Sequence, residues 1–240
     1  MFTSKLLAVA TLLCTALAQT PAGFAPTTNK KLGLTAGGIE VSPGLLIPRA
    51  QTASPPTISA PSNSNASTYA LFMIDIDLPI NNTRVTLLHW FQPDLVVDSA
   101  GTLVPSNTNA SGPGAAYLQP NPPAGDIAHR YTFVLYEQPS TFSVPAAFAA
   151  INPPANVPAR GGFSVAAFAA AADLGEPISG NFWTVQNTTV TATGAATATG
   201  SASPTTTPTG IPFLGTAAGL KQARGVLGGV AGLAAGILLL

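Results

Sequence analysis

Two long runs of apolar residues, separated by turn-forming residues, occupy the middle of the chain. STYALFMIDIDLP (residues 67–79) and TRVTLLHWFQPDLVV (residues 83–97) are almost continuously apolar at their centres. Such runs are typical of strands that are buried on both faces. The residues LPINN, which lie between the two runs, favour a turn. The pattern therefore predicts two neighbouring strands.

Shorter segments complete the predicted architecture. IEVSPGLLIP (39–48) indicates a strand with a turn inside it, and RYTFVLYEQP (130–139) and GNFWTVQ (180–186) indicate two further strands. The alanine-rich stretch FSVAAFAAAADLG (163–175) predicts a helix with Gly175 as its C-cap. Strands dominate, so we expect a mainly β fold, an antiparallel β-sandwich with a peripheral helix. No glycine-rich strand-to-helix fingerprint is present, which excludes a Rossmann-type arrangement.

The first 18 residues resemble a secretory signal peptide. They contain one lysine, an apolar run from Leu6 to Leu13 and the small-x-small ending Ala16-Leu17-Ala18. A buried N-terminal helix is the alternative, but the cleavage signal favours a signal peptide over residues 1–18. Its removal would take away Cys14, the single cysteine, so the folded domain expected over residues 19–190 must be stable without a disulfide.

The C-terminal residues predict an attached surface protein. Residues 191–215 are almost wholly Thr, Ala, Ser, Gly and Pro, a composition that favours a disordered, O-glycosylated stalk. Residues 216–240 end in VLGGVAGLAAGILLL, which is too short for a typical membrane span and follows small residues and a polar spacer. This predicts a GPI-attachment signal with Gly215 as the attachment residue, and a tail anchor is the alternative. We therefore expect an extracellular protein at the cell membrane or wall.

Charge and glycosylation sequons agree with that location. Six basic and nine acidic residues lie between positions 19 and 215, which gives a net charge of −3. The chain has no basic patch, so nucleic acid is not an expected partner. Asn-x-Ser/Thr sequons, typical of a glycosylated surface, occur at Asn65, Asn81, Asn109 and Asn187.

Four polar residues lie within or beside apolar segments. Asp75 and Asp77 end a buried strand and, being two apart, point to the same face; His89 lies within LLHWF, and His129 follows a proline-rich loop. Burial of an unpaired charge is costly, so these groups should pair, hydrogen-bond or meet a ligand. A purely structural role, with His89 bonded to an aspartate and Asp77 capping the turn, is the alternative.

Common catalytic templates do not fit the chain. The chain has two histidines without a short spacing between them, so no metal or cofactor is expected. No G-x-S-x-G elbow is present, and Asp75 and Asp77 are too close in sequence to flank a sugar from opposite sides. We therefore expect a protein that is not an enzyme, with acid and base roles for His129 and Asp75 as the weaker alternative.

Three stretches together resemble the phosphatidylethanolamine-binding protein family. They are MIDIDLP followed by LLHWF, YLQPNPPAGDIAHRYTFVLYEQP, and GNFW. The family's marks are a D-P-D strand end, a downstream L-H-W, and a G-x-x-P-P-x-G loop that leads through H-R-Y into a strand ending in Y-E-Q. The resemblance covers residues 35–186. With the terminal signals, it is similar to secreted, GPI-anchored fungal members.

The resemblance implies a large central sheet packed on a smaller sheet, and a pocket for a small anion or a phospholipid head group. Within that pocket His129 would donate to the anion, His89 would form the floor and Tyr131 would offer a phenol. Pro122 and Pro123 would form a rigid rim. The implied ligand-binding residues are Asp75, Asp77, His89, Pro123, His129 and Tyr131.

The sequence departs from the family pattern at the pocket. Ile76 replaces the middle proline of D-P-D, Asn121 replaces a loop glycine, and Ala124 and Asp126 stand where many members carry basic residues. Members also differ in function, and a shared fold does not decide among them. Inhibition of a protease such as a carboxypeptidase, or another protein interaction, is therefore the alternative to ligand binding.

Overall fold

The structure is a computed structural model that describes residues 18–62 and 64–188. The predicted stalk, the GPI signal with Gly215 and all but the last residue of the signal peptide lie outside these residues. No helix within them is long and apolar enough to cross a membrane. Nine strands and one α-helix are described: β1 (Gly33–Ala36), β2 (Ile39–Glu40), β3 (Leu45–Leu46), β4 (Thr57–Ser59), β5 (Tyr69–Ile80), β6 (Thr83–Val97), β7 (Leu103–Pro105), β8 (His129–Glu137), α1 (Val165–Ala171) and β9 (Ser179–Val185).

The strands form a large sheet and a small sheet, which confirms the predicted mainly β fold. The large sheet has six strands in the order β3-β9-β8-β5-β6-β7, and the small sheet has three in the order β2-β1-β4. All pairs are antiparallel except β3 with β9, which is parallel, so the large sheet is mixed rather than fully antiparallel. The hairpin β5–β6 turns at Asn81 and Asn82, which both have positive φ. Asparagine tolerates that conformation better than most residues, as a tight hairpin requires.

Strand β5 is buried on both faces, as its apolar run predicted. Its odd positions, from Tyr69 to Met73, pack in one cluster with residues of the small sheet such as Leu34. Its even positions, from Ala70 to Ile74, pack in a second cluster with Phe168 of α1. The large sheet therefore lies between the small sheet on one side and α1 with its flanking loops on the other.

Two predicted elements differ from the structure. Residues 39–48 form the separate strands β2 and β3, because Gly44 has a φ of +81° and its amide donates to the carbonyl of Phe182. The helix predicted over 163–175 spans only Val165–Ala171, with Ser164 as N-cap accepting from the amide of Ala167. It ends before Gly175 because Asp173 takes a left-handed conformation, with a φ of 53°.

Candidate ligand-binding site

A partly open cavity of about 300 Å³ lies where β5, β6 and β8 meet the proline-rich loop. It continues the face of the large sheet that packs against the small sheet. Five of the six predicted ligand-binding residues line it, and the exception is Asp77. The lining residues are Asp75, Leu78, Leu87, His89, Leu118, Gln119, Asn121, Pro123, His129, Tyr131 and Val157.

Strand register brings the cavity's polar side chains together. Asp75 lies opposite Tyr131 on β8 and opposite Leu87 on β6. His129 precedes Tyr131 by two positions, and His89 follows Leu87 by two. Because alternate residues of a strand share a face, all of these side chains point to the same side of the sheet.

His129 is held between two carboxylates. Its Nδ1 atom lies 2.8 Å from Oδ2 of Asp75, and its Nε2 atom lies 3.1 Å from Oδ2 of Asp126. Burial opposes a charge on the ring, but the hydrogen bonds to Asp75 and Asp126 outweigh it and raise the pKa of His129. Both nitrogens are therefore occupied, whereas the sequence led us to expect His129 to be the free donor to an anion.

His89 carries the free ring nitrogen of the cavity. Its Nδ1 atom is 2.8 Å from the carbonyl of Leu118, so Nδ1 bears the proton and donates to that carbonyl. Its Nε2 atom is buried, has no hydrogen-bond partner within the described chain and lies 3.9 Å from Oδ2 of Asp75. Burial lowers the pKa of His89, so the ring is neutral near pH 7 with an unprotonated Nε2.

Tyr131 places a second unpartnered group beside His89. The two rings meet edge to face, with centroids 5.0 Å apart. The side chain is fully buried, and its hydroxyl lies near the Asp75 carboxylate and the Asn121 backbone without a well-formed hydrogen bond to either within the described chain. Burial raises the pKa of the Tyr131 phenol, and the negative charge of Asp75 raises it further, so the hydroxyl keeps its proton as a donor.

Asp77 lies outside the cavity lining, because it pairs with Arg130. Its Oδ2 atom accepts hydrogen bonds from the backbone amide and from Nε of Arg130, both at 2.8 Å, and its Oδ1 atom accepts from Nη2 at 2.6 Å. The β5–β6 ladder is irregular between Asp75 and Leu78, so the expected shared orientation of the two aspartates is lost. Burial raises the pKa of Asp77, but the bonds from Arg130 outweigh it and lower that pKa below its ordinary value.

Sequence reasoning missed one participant of the site, Asp126. Its carboxylate pairs with the guanidinium of Arg84 through two hydrogen bonds of 2.7 Å, and it also reaches His129. These bonds, with that from Arg84 the strongest, hold the pKa of Asp126 well below its ordinary value. The available signal was an acidic residue in the proline-rich loop three positions before His129, but nothing in the sequence pointed to Arg84.

The sequons lie in different environments. Asn65, Asn81 and Asn109 are exposed, so a glycan could be accommodated at each. Asn187 is half-buried, and its Nδ2 atom donates to the carbonyl of Pro122 at 3.2 Å. This contact ties the segment after β9 to the cavity loop.

The chain is similar to several known proteins. The family model for the phosphatidylethanolamine-binding proteins matches residues 27–193. "Phomoidride biosynthesis cluster protein N" of Talaromyces stipitatus is 35% identical over 180 residues, which cover 70% of this chain and 90% of that protein. The "26 kDa secreted antigen" of Toxocara canis is 32% identical over 154 residues, which cover 63% of this chain and 54% of the antigen. A crystal structure of carboxypeptidase Y inhibitor in complex with its cognate proteinase aligns with a TM-score of 0.47 at 20% identity, over 67% of this chain and 85% of that one.

Proposed function

Because the chain belongs to the phosphatidylethanolamine-binding protein family, we propose that its cavity binds a small oxyanion, either free or as the head group of a phospholipid. The observation that carries this proposal is the pair of unpartnered polar atoms, Nε2 of His89 and the hydroxyl of Tyr131. A buried polar group without a partner costs about 1–3 kcal/mol, so a ligand that satisfies both atoms recovers that cost.

The two groups fit an oxyanion once His89 is protonated. The Tyr131 hydroxyl is a donor as it stands, whereas the neutral His89 ring must take up a proton before Nε2 can donate. An incoming anion favours that proton, and Asp75, 3.9 Å away, stabilises the resulting charge. Binding of the anion and uptake of one proton are thus coupled, and affinity should rise as the pH falls towards the lowered pKa of His89.

The size of the cavity limits what can enter. A volume of about 300 Å³ is at the lower end of the range for small-molecule sites. It suits a phosphate, a carboxylate or a phosphorylated head group, whose acyl chains would remain outside.

The same geometry supports a binding role rather than catalysis. His129 is the histidine whose pKa is raised, but carboxylates occupy both of its nitrogens. His89 has a free nitrogen, but its closest charged neighbour, Asp75, lies beyond hydrogen-bond distance. His129 is therefore not free for proton transfer, and no second group in the described part of the chain is hydrogen-bonded to Nε2 of His89, which supports a non-enzymatic function.

We propose that this function is carried out outside the cell. The predicted signal peptide over residues 1–18 and the small residues and apolar tail after position 214 support a secreted, GPI-anchored protein at the cell surface. The relative from Toxocara canis is named a secreted antigen. The exposed sequons at Asn65, Asn81 and Asn109 are compatible with passage through the secretory pathway.

Titration calorimetry of the mature protein with inorganic phosphate and with phosphorylethanolamine tests the proposal. Tyr131→Phe removes the cavity hydroxyl and should weaken binding about tenfold. Tyr136→Phe is a matched control, because the Tyr136 hydroxyl is also buried and unpartnered but belongs to the apolar cluster on the other face of the sheet. Absence of binding, or equal losses in both variants, would contradict a ligand site at this cavity.

The same variants separate the alternative role. If the mature protein inhibits a carboxypeptidase, and Tyr131→Phe inhibits it equally well, the interaction does not depend on the cavity. That result, together with no anion binding, would favour protease inhibition over ligand binding.

A further inference from the structure

The carboxylate of Asp126 occupies a set of hydrogen-bond donors that would suit any oxyanion. It accepts from Nη1 and Nη2 of Arg84 at 2.7 Å each, and it lies 3.1 Å from Nε2 of His129. Its fourth contact is the backbone amide of Ile127 at 2.7 Å. Two nitrogens from a guanidinium, one from an imidazole and one backbone amide thus converge on a single carboxylate. Such charge-assisted groups are the usual partners of carboxylates and phosphates.

The two side-chain donors, Arg84 and His129, are fixed by the sheet independently of Asp126. Arg84 lies on β6, and its Nη1 atom also donates to the carbonyl of Asp77 at 2.7 Å. His129 begins β8 and is oriented by Asp75 through Nδ1. If the Asp126 carboxylate moved away, both donors would keep these other contacts and still face the same point.

The acceptor, in contrast, is carried by a loop. Asp126 follows Gly125, which has a φ of +80° and no atom within 4 Å of the position that a Cβ would take. Among the described residues, no side chain packs against the loop at Gly125, and its backbone is held there by hydrogen bonds from Gln186 to the carbonyl of Asp126 and from the amide of Gly125 to the carbonyl of Asn187. The preceding residues Asn121 and Pro123 line the cavity, so a displacement of Asp126 would also move the cavity wall.

We propose that Arg84 and His129 form a second oxyanion-binding position beside the cavity, and that Asp126 fills it as an internal ligand. A carboxylate or phosphate that enters from outside competes with Asp126 for these donors. The residue therefore sets the affinity and selectivity of the site, because only an anion that outcompetes a tethered carboxylate can take its place. This inference rests on the proposed function, since His129 is shared between the two positions.

Asp126→Asn tests the competition. The amide keeps the size of the side chain and can still accept from Ile127, but it loses the charge that pairs with Arg84. In the mature protein we expect inorganic phosphate to bind about tenfold more tightly to this variant than to the wild type. Phosphorylethanolamine is the second probe: an equal gain identifies the oxyanion itself as the recognised group, and a larger gain identifies a head group.

A matched control and a double variant separate competition from other effects. Asp98→Asn removes the same charge in a turn at the opposite end of β6, where one oxygen accepts from the amides of Ala100 and Thr102, and it should leave phosphate affinity unchanged. Adding Arg84→Gln to Asp126→Asn should abolish the gain, because Arg84 is the partner that the external anion acquires. If Asp126→Asn acted only by making the loop more mobile, the double variant would keep the gain in phosphate affinity.

The outcomes also separate this inference from the proposed function. If the wild type binds phosphate and Asp126→Asn binds it equally or more weakly, the internal ligand is disproved while the cavity site stands. If only Asp126→Asn binds, the inference holds and the wild-type cavity is closed to this probe. If no variant binds, both proposals fail. Thermal unfolding checks that each variant is folded, and Asp126→Ser replaces Asp126→Asn if the latter is not.

Discussion

The Nδ1 atom of His129 lies 2.8 Å from the Oδ2 atom of Asp75, so side chains as well as backbone hydrogen bonds join β5 to β8 at the cavity. The other oxygen of Asp75 accepts from the amide of Asp77 at 2.8 Å. Asp75 therefore has a fixed orientation and can act on its neighbours as an orienting group. It fixes which nitrogen of His129 points towards Asp126.

Asp75→Asn should change the protonation of His129 and weaken anion binding. If the oxygen of the introduced amide keeps the bond to the backbone N–H of Asp77, the NH₂ group faces Nδ1 of His129, and two donors meet. His129 must then become neutral at Nδ1, so we expect its pKa to fall, which NMR titration of the ring protons can measure. Removal of a negative charge alone would strengthen anion binding. Stronger binding by Asp75→Asn, compared with an unchanged Asp98→Asn control, would show that orientation is unimportant.

Arg130→Lys should destabilise the fold, because Lys cannot reproduce the two-pronged contact with the buried Asp77. The guanidinium is partly exposed, so we expect a loss of about 1–3 kcal/mol in the free energy of unfolding, below the range for fully buried pairs. Lys31→Gln is the control, since Lys31 pairs with Glu40 on the surface at 3.3 Å and should contribute less than about 1 kcal/mol. Urea denaturation measures both, and equal losses would contradict a special role for the buried pair.

The pH dependence of stability should differ between the two histidines. The pKa of His129 is raised above 6.5. The contribution of the protonated ring to the free energy of unfolding is therefore complete below about pH 6.5 and is lost as the pH rises through the raised pKa. The pKa of His89 is lowered by burial. Below about pH 6.5 the unfolded chain takes up a proton at His89 that the folded chain does not, so the free energy of unfolding decreases as the pH falls. The charged groups that face His129 are Asp75 and Asp126, with Arg84 behind Asp126.

Melting temperatures across the pH range check this expectation. The difference between the wild type and His129→Gln should be largest in acid and should shrink at higher pH. The difference between the wild type and His89→Gln should follow the opposite course, with the wild type losing its advantage as the pH falls. Parallel curves for the two variants would disprove the assigned protonation states.

The long apolar strands could be predicted from the sequence, whereas several long-range contacts could not. Strand β6 has the predicted limits, Thr83–Val97, because its apolar run is long and its ends are marked by turn residues. Strands β1, β4 and β7 have only three or four residues each, too few to show a recognisable periodic pattern. The parallel pairing of β3 with β9 depends on contacts between residues more than 100 positions apart, which a local pattern does not encode.

The same contrast holds at the site. Asp75, His89 and His129 stand out in the sequence as polar residues within or beside apolar segments, whereas Pro123 and Tyr131 were expected from the family resemblance. The pairing of the buried Asp77 with Arg130, away from the cavity, accompanies an irregular ladder after Asp75 that the local sequence does not predict. The pairing of Asp126 with Arg84 joins a loop to a strand 42 residues away, so only the folded chain shows it.

The proposed membrane attachment can be tested on intact cells. We expect phosphatidylinositol-specific phospholipase C to release the protein, because the C-terminal signal would be exchanged for a lipid anchor near Gly215. Mass spectrometry of the membrane-bound form should then find no peptide that contains Leu240. Retention after phospholipase treatment, with Leu240 present, would instead support a tail anchor.

Truncation should separate the stability of the domain from the order of its cavity loop. A chain that ends at residue 190 lacks the predicted stalk but keeps β9, which ends at Val185, and the segment that follows it. Gln186 donates to the carbonyl of Asp126 at 3.2 Å, and the carbonyl of Asn187 accepts from the amide of Gly125 at 3.3 Å. Gln186 and Asn187 therefore hold the proline-rich loop that lines the cavity.

We expect the chain ending at residue 190 to unfold cooperatively, with the melting temperature and the phosphate affinity of the mature protein that keeps the predicted stalk. The stalk includes almost nothing large to bury, so its removal should not affect the domain. A chain ending at 185 keeps the whole of β9 and should also melt cooperatively, but its loop loses the contacts of Gln186 and Asn187. Faster hydrogen exchange at Gly125 and altered phosphate affinity should follow, since Asp126 is less firmly held. Loss of cooperative melting at 190 would show that the domain extends further, and identical exchange in the two truncated chains would show that the segment does not hold the loop.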